Sequence, residues 1–446
     1  MRRILSQTRS FSPAARLLMA NQFAINLAFY MLMPYLAAHL SGGLGLAAWA
    51  VGLVLGVRNL SQQGMFLIGG TLADRLGYKT PILTGCVLRT GGFALLGWVD
   101  SLPALIAASA ATGFAGALFN PAVRAYLAAE AGERRVDAFA LFNVYYQAGM
   151  LLGPLVGLAL LAADFRAVCT TAAVIFAALS VLQARTLPAH HDTDAHPRTA
   201  DAHRTADAHR TADAHRTAGA HRTAAGNAGP PTVWKQWRRV VSNQPFLLFS
   251  AAMTGSYVLT FQVYLVLPLA ADAALGADGT RATSGLFVIS AAVAVAGQLR
   301  LTGWAKRRFT PHQALAAGLA AMGAAFVPLA LTPAGSAIGS LTALAVSVAV
   351  LAAAGAVVYP FEMDTVVALS GNELVATHYG LYNTVSGFGI TLGNLALGAL
   401  WDAAHADAPW LVWAALAVTG AACATAVTAL ARTGRLRPHP VRPAPA

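Results

Sequence analysis

Gly70-Thr-Leu-Ala-Asp74-Arg75-Leu-Gly77-Tyr78-Lys79 is a short polar turn between two long apolar runs. The run before it covers 46–72 and the run after it 80–99. A helix crosses the hydrocarbon core of a bilayer with roughly 20 apolar residues, so each run is long enough. A charged turn between two such runs reads as a tight hairpin at one membrane face. Gly77 permits a left-handed backbone there. Asp74 can accept hydrogen bonds from the N-terminus of another helix, for which the eleventh span is the candidate. Arg75 can pair with a carboxylate such as Glu130.

Outward from this turn the pattern repeats along the whole chain. Apolar runs lie near 16–40, 46–72, 80–99, 103–128, 138–162, 166–185, 245–271, 283–304, 312–331, 337–361, 379–402 and 409–431. Of the 446 residues, 57% are hydrophobic and 11% charged. A soluble domain carries about 25% charged residues, so this chain lacks the polar surface to be one. The expectation is an all-α integral membrane protein with twelve transmembrane helices in two six-helix bundles. The bundles would cover 1–185 and 244–432, with a polar linker at 186–243 and a tail at 433–446. The first apolar run is too long for a signal-peptide core and no clear cleavage site follows, so it reads as a retained span.

Basic residues set the orientation. With the N-terminus in the cytoplasm, 25 of the 30 Lys and Arg residues fall on that side. Only Arg166 and Arg281 fall outside, and Arg58, Arg89 and Arg300 lie within spans. An even number of spans then puts both termini in the cytoplasm of a cell-membrane protein. The basic residues sit between apolar runs and are not interleaved with aromatics, which argues against nucleic acid as a partner.

The two halves echo each other at an offset of 230 to 240 residues. Tyr30-Met-Leu-Met-Pro34 matches Tyr264-Leu-Val-Leu-Pro268. Ala140-Leu-Phe-Asn143 matches Gly380-Leu-Tyr-Asn383. Gly149 and Gly153 follow Asn143 as Gly389 and Gly393 follow Asn383. Duplicated halves make pseudo-symmetric bundles, and such bundles place a binding site at their interface near the midplane.

The turn at Gly70–Lys79 resembles the G-x-x-x-D-R-x-G-R-K loop of the major facilitator superfamily, with Tyr78 in place of the usual Arg. Gly70, Asp74, Arg75, Gly77 and Lys79 would then be its conformational-switch motif. Gly149-Met-Leu-Leu-Gly153-Pro154-Leu-Val-Gly157 resembles the helix signature of the superfamily's antiporters. Its small residues also suit plain helix packing. The stretch Gly56-Val-Arg58-Asn-Leu-Ser-Gln62-Gln63-Gly64, with Leu118-Phe-Asn120-Pro121 and Arg124, is similar to the drug:proton antiporter branch. That resemblance implies export of small amphipathic compounds by alternating access with proton exchange. Uptake of a small metabolite, or a transport-inactive sensor or scaffold, is the alternative. Two features depart from the branch. The first span carries Asn21 and Asn26 and no acid, and Ala110 stands where an Arg usually precedes Gly113.

Charges at membrane depth are costly and mark function. Arg58 lies roughly 18 Å deep by helical rise, and it reads either as part of the substrate path or as a donor to Asn59 and Gln62. Arg89 is on the third span, peripheral in the resembled fold, and reads as structural. Glu362 and Asp364 are the acids nearest a cavity. In the resembled fold spans four and ten face each other, so Arg124 would pair with one of these acids as a gate. Such a contact would also tune a proton carrier. Substrate-path candidates are Asn21, Asn26, Tyr30, Arg58, Gln147, Tyr257, Gln262, Tyr264 and Asn383.

No cofactor, catalytic or metal constellation is expected, and no nucleotide-binding loop is present. The three cysteines, Cys86, Cys169 and Cys423, read as inert core thiols. The partners expected are a small molecule, lipid and protons, with a monomer sufficing. From Asp194 the linker runs DAHPRTA, DAHRTA, DAHRTA, DAHRTA, GAHRTA, and 186–243 holds seven of the 12 His residues. Low complexity with no apolar face reads as a disordered spacer. The six-residue His spacing offers metal no preformed geometry. Deleting 195–224 is therefore expected to leave membrane expression and transport within about twofold of wild type. Normal expression with transport abolished would show that the segment does more than connect.

Overall fold

The computed structural model describes residues 2–46, 48–162, 164–187, 232–332, 336–404 and 407–436. Most of the linker and the end of the tail lie outside these residues. Every regular element among them is helical. The longer helices make twelve rods, referred to as spans 1 to 12. In order they are Pro13–Ala38, Ala48–Gly64 continued by Phe66–Leu76, Lys79–Trp98, Leu102–Ala131, Arg135–Leu161 and Phe165–Thr186. The second set is Gln244–Phe261 continued by Val266–Leu275, Gly279–Arg308, Pro311–Ala324 continued by Val327–Leu331, Ala337–Ser370, Val375–Ala404 and Trp410–Arg432.

Eight stretches are long and apolar enough to cross a membrane by length and composition alone, and one of them, Leu102–Leu161, contains both span 4 and span 5. Spans 1 to 3 are not among the eight. They carry Asn21, Gln22, Asn26, Arg58, Gln62, Gln63 and Arg89, which lower their hydropathy. Polar residues within a span are the feature that a functional path requires, so the dilution and the path have the same cause.

Local chemistry starts several spans where the sequence offers a cap. The Ser12 hydroxyl accepts from the Ala15 N–H at 3.1 Å, and Asn243 accepts from the Phe246 N–H at 3.3 Å. Each satisfies one of the free N–H groups of a first helical turn. Span 4 runs through Pro121, span 5 through Pro154 and span 10 through Pro360 without interruption. A proline frees carbonyl groups in the preceding turn. The Tyr35 hydroxyl donates to the Pro154 carbonyl at 2.7 Å, which helps to hold span 1 against span 5.

The packing has the symmetry of the sequence repeat. In the first half span 1 packs on 5 and 6, span 3 on 4 and 6, and span 2 on 4. In the second half span 7 packs on 11 and 12, span 9 on 10 and 12, and span 8 on 10. Between the halves span 2 packs on 11 and span 5 on 8, which are equivalent contacts. Glycines make the close ones possible. Side-chain carbons at Gly149 or Gly153 would meet Phe23, Asn26, Leu27, Tyr30 or Met31 of span 1. At Gly389 and Gly393 they would meet Thr254 and Val258 of span 7.

Large apolar side chains cover the outside, among them Leu60, Ile338, Phe388, Leu392, Leu395 and Val418. Trp98, Trp234 and Trp410 are exposed near helix ends. An apolar exterior on helices whose backbone groups bond internally is what a bilayer demands.

Candidate transport site and its closure

Between the halves lie two adjoining cavities, referred to as lobes. The first lobe is lined by Asn143, Tyr146, Gln147, Ser256, Tyr257, Tyr359 and Glu362, and has a volume of about 240 Å³. The second is lined by Gln22, Asn26, Phe29, Tyr30, Gln62, Gln63, Arg89, Asn120, Asn383 and Ser386, and has a volume of about 170 Å³. Arg124, Tyr146, Tyr257 and Phe261 border both lobes and form the waist between them.

Glu362 is buried, accepts a hydrogen bond from the hydroxyl of Tyr382, and lines the first lobe beside Tyr257. Among the described residues Arg124 makes no ion pair with an acid. Its Nη1 donates to Asn383 Oδ1 at 3.1 Å, and Tyr359 lines the same lobe. Asp364, two residues further along span 10, is held by Arg135 through Nε at 2.6 Å. The expected gate between Arg124 and Glu362 or Asp364 is therefore corrected. Glu362 faces the cavity and finds tyrosines, whereas Asp364, two residues on, falls on another face of the helix and meets span 5.

The polar ties between the halves concentrate at the end of the bundle that carries the Gly70–Lys79 turn. Asp74 accepts from the Ala376 N–H at 3.1 Å, the Thr377 N–H at 2.6 Å and the Thr377 hydroxyl at 2.6 Å. Span 11 begins at Val375, so a carboxylate sits on its free N–H groups and its positive dipole end. Gly70 packs directly against the Ala376 carbonyl, and Gly380 against that of Phe66. Any side chain at either position would push spans 2 and 11 apart. Gly77 ends the turn at φ +76. The Lys79 ammonium donates to the Ala184 and Leu187 carbonyls at 2.9 and 2.6 Å, and so caps the C-terminus of span 6. Arg75 is exposed, and the Glu130 carboxylate accepts from the Ser12 hydroxyl at 2.5 Å.

Three ion pairs and a strap surround this anchor. They are Arg135–Asp364, Lys306–Asp137 at 2.8 Å, and Arg239–Glu373. The helix Val233–Val241 lies across the same end, where the Trp237 indole N–H donates to the Thr71 hydroxyl at 2.8 Å. Trp237 and Arg239, which with Trp234 and Arg238 read in the sequence as an interfacial anchor before span 7, also tie the approach to span 7 to spans 2 and 11.

The remaining sequence candidates divide. Tyr30 lines the cavity and bonds the Tyr146 hydroxyl at 3.1 Å. Asn26 lines it and donates to the Gln22 carbonyl at 2.7 Å. Gln147, Tyr257 and Asn383 line it as well. Asn21 is buried away from the lining. Gln262 turns to Asn394 at 3.2 Å, in a 3-10 break of span 7. Tyr264 is exposed and reaches the Met150 sulfur. Arg58 donates to Asn59 and Gln62 and stands behind Phe29. Gly149, Gly153 and Gly157 face span 1, so their place is in packing, beside Pro154. Residues missed by sequence reasoning include Tyr359, Tyr382 and Gln298. Gln298 is buried and accepts from Asn143 across the halves at 2.7 Å. A glutamine near mid-span between apolar residues was the available signal.

Two pseudo-symmetric helical halves around a closed-ended polar cavity define a membrane transporter. The sequence matches the family model of the Major Facilitator Superfamily over residues 18–394, and the chain belongs to that superfamily. It is 50% identical over 416 residues to an uncharacterized MFS-type transporter of Mycobacterium tuberculosis, covering 92% of each chain. It is 28% identical over 419 residues to the multidrug resistance protein MdtH of Yersinia pestis, covering 94% of each. Among solved structures it is similar to the E. coli fucose:proton symporter FucP, with TM-score 0.67, 14% identity and coverage of 93% and 97%. A second FucP structure, titled as the outward conformation, gives TM-score 0.67 at 17% identity, with coverage of 94% and 99%.

Asp74→Asn is expected to weaken closure of the motif end by about 2 kcal/mol or more, since a carboxamide offers one acceptor where two oxygens now serve three donors. Transport should fall at least tenfold while membrane insertion is unchanged. Gly70→Leu should do the same through sterics. The check is the initial rate in proteoliposomes beside the amount of folded protein, and wild-type rates in both variants would reduce the turn to a connector.

Proposed function

We propose that the chain exports small amphipathic compounds across the cell membrane by alternating access, driven by proton exchange. The observation that carries this reading is a buried carboxylate, Glu362, in a cavity that is closed at the motif end by Asp74. The cavity lining mixes tyrosine, glutamine and asparagine with apolar residues, which suits a substrate of mixed polarity. The likeness to MdtH supports export of drug-like compounds. The charge count of the loops supports a cytoplasmic motif end and cytoplasmic termini, and in that orientation the closed end faces inward. One chain encloses the whole cavity, and a monomer suffices.

In this reading Glu362 carries the proton. Tyr382 donates to its charged form, Tyr257 lines the same lobe, and Arg124 stands at the waist. Rearrangement of these groups between states changes the proton affinity of the carboxyl, and substrate exit becomes linked to proton entry. Asp364 is assigned to closure, together with Arg135.

The test is transport in proteoliposomes with an imposed pH gradient and a panel of amphipathic dyes. The wild-type protein should concentrate dye against its gradient, and Glu362→Gln should lose at least nine-tenths of that rate while binding dye within about threefold of wild type. Asp364→Asn should retain coupling and lose part of the rate. Uphill movement by Glu362→Gln at the wild-type rate would remove Glu362 as the proton carrier. Dye accumulating in the same direction as the protons would convert the reading to uptake.

A further inference from the structure

Arg89 is the one strongly buried cation facing the second lobe, being 6% exposed on span 3. Its Nε is buried and has no hydrogen-bond partner among the described residues. No carboxylate pairs with it there. Its guanidinium instead lies 5.9, 5.8 and 5.5 Å from the ring centroids of Phe29, Phe119 and Phe176. Ring faces attract a cation but cannot accept all five of its N–H groups with the geometry of an oxygen.

The Phe29 ring is shared. Arg58 lies 5.2 Å from the same centroid. Two guanidiniums therefore converge on one ring at membrane depth, with only Asn59 and Gln62 as polar partners of Arg58. Such a pair repels itself and costs more than either cation alone. A third observation gives the site a direction. Gly116 has no side chain, and around the point where one would begin, Arg89 Nη2 stands at 3.1 Å and Gln62 Nε2 at 3.2 Å. Two N–H donors thus gather beside a glycine, while Gln62 Oε1 is already engaged by Arg58. Arg124 borders the same lobe from span 4. The lobe is rich in donors and positive charge, and among its lining residues there is no acid.

We propose that the second lobe binds the anionic group of an amphipathic substrate, a carboxylate or sulfonate, through Arg89 with Gln62 and Arg124. This inference rests on the export reading for its substrate and makes that substrate an organic anion or a zwitterion. The apolar body of the molecule then lies along Phe29 and Phe261, and its uncharged polar groups meet the tyrosine-rich first lobe. Glu362 stays in that other lobe, with Arg124 between it and the bound anion, so proton carrier and substrate charge are kept apart.

The test compares two dyes with the same xanthene core, anionic fluorescein and cationic rhodamine 123. Binding is followed by fluorescence anisotropy on full-length protein in nanodiscs of phosphatidylcholine, so that no anionic lipid competes. The wild-type protein should bind fluorescein at least tenfold tighter than rhodamine 123. Arg89→Gln should lower fluorescein affinity by about tenfold or more, as expected for a charged hydrogen bond, and change rhodamine 123 by less than threefold. Arg89→Lys should retain most of the preference. The wild-type comparison needs no variant, so it decides the matter even if Arg89→Gln does not fold. No saturable fluorescein binding, equal or tighter binding of rhodamine 123, or an equal loss of both dyes in Arg89→Gln would overturn the proposal. Selective binding of fluorescein without movement of either dye would overturn the export reading and leave this site in place.

Discussion

The structure turns on one carboxylate placed at the start of a helix in the other half of the molecule. Asp74 meets two backbone N–H groups and a hydroxyl of Ala376 and Thr377. An anion at a helix N-terminus is favoured by unpaired donors and by the helix dipole together. The contact exists only while spans 2 and 11 touch, and they touch closely because Gly70 and Gly380 let backbone approach backbone. Charge and glycine are thus two parts of one device. The charge supplies the attraction, and the missing side chains supply the distance at which it acts.

Around that device the symmetry of the fold and the asymmetry of its charges divide the work. Spans 5 and 8 repeat the geometry of spans 11 and 2, and both interfaces hold an inter-half hydrogen bond, Asn143 to Gln298 and Thr384 to the Gln63 carbonyl. These equivalent contacts let one half rock against the other. The charges do not repeat. Arg58, Arg89 and Arg124 belong to the first half and Glu362 to the second. A cavity built by duplication has become polar in two different ways, and chemistry resides in that difference.

Much of this was legible in the sequence, and what failed has a common cause. Hydropathy gave the runs, the offset of 230 to 240 residues gave the halves, and the Gly70–Lys79 turn gave the family. Each of these is written in spacing along the chain. Side-chain partners are not. Depth on a helix can be counted from the sequence, but rotation about its axis needs the packing. Glu362 and Asp364 are 200° apart on an ideal helix, by about 100° per residue, and so meet different neighbours. Arg89 was assigned to the periphery because its span is peripheral, yet a long side chain reaches past Gly116 to the cavity. Tyr264 matched Tyr30 in the repeat, and beyond the 3-10 break at Gln262–Tyr264 its hydroxyl reaches across the halves to Met150.

The relative strengths of the closing contacts also follow from their exposure. Side chains of the Arg239–Glu373 pair are 66% and 57% exposed, and those of Lys306–Asp137 are 38% and 39%. Exposed pairs contribute about 0–1 kcal/mol each. Hydrogen bonds to the half-buried charge of Asp74 contribute about 1.5–3 kcal/mol each. Alternating access needs two states within a few kcal/mol, since a larger gap would leave one unpopulated. A closure made only of surface pairs would be too weak to define a state. Several anchors with as many hydrogen bonds as Asp74 would hold it shut. One half-buried helix-end anchor, the part-buried pair Arg135–Asp364, 23% and 21% exposed, and two exposed pairs lie between these limits, and among them Asp74 makes the most hydrogen bonds.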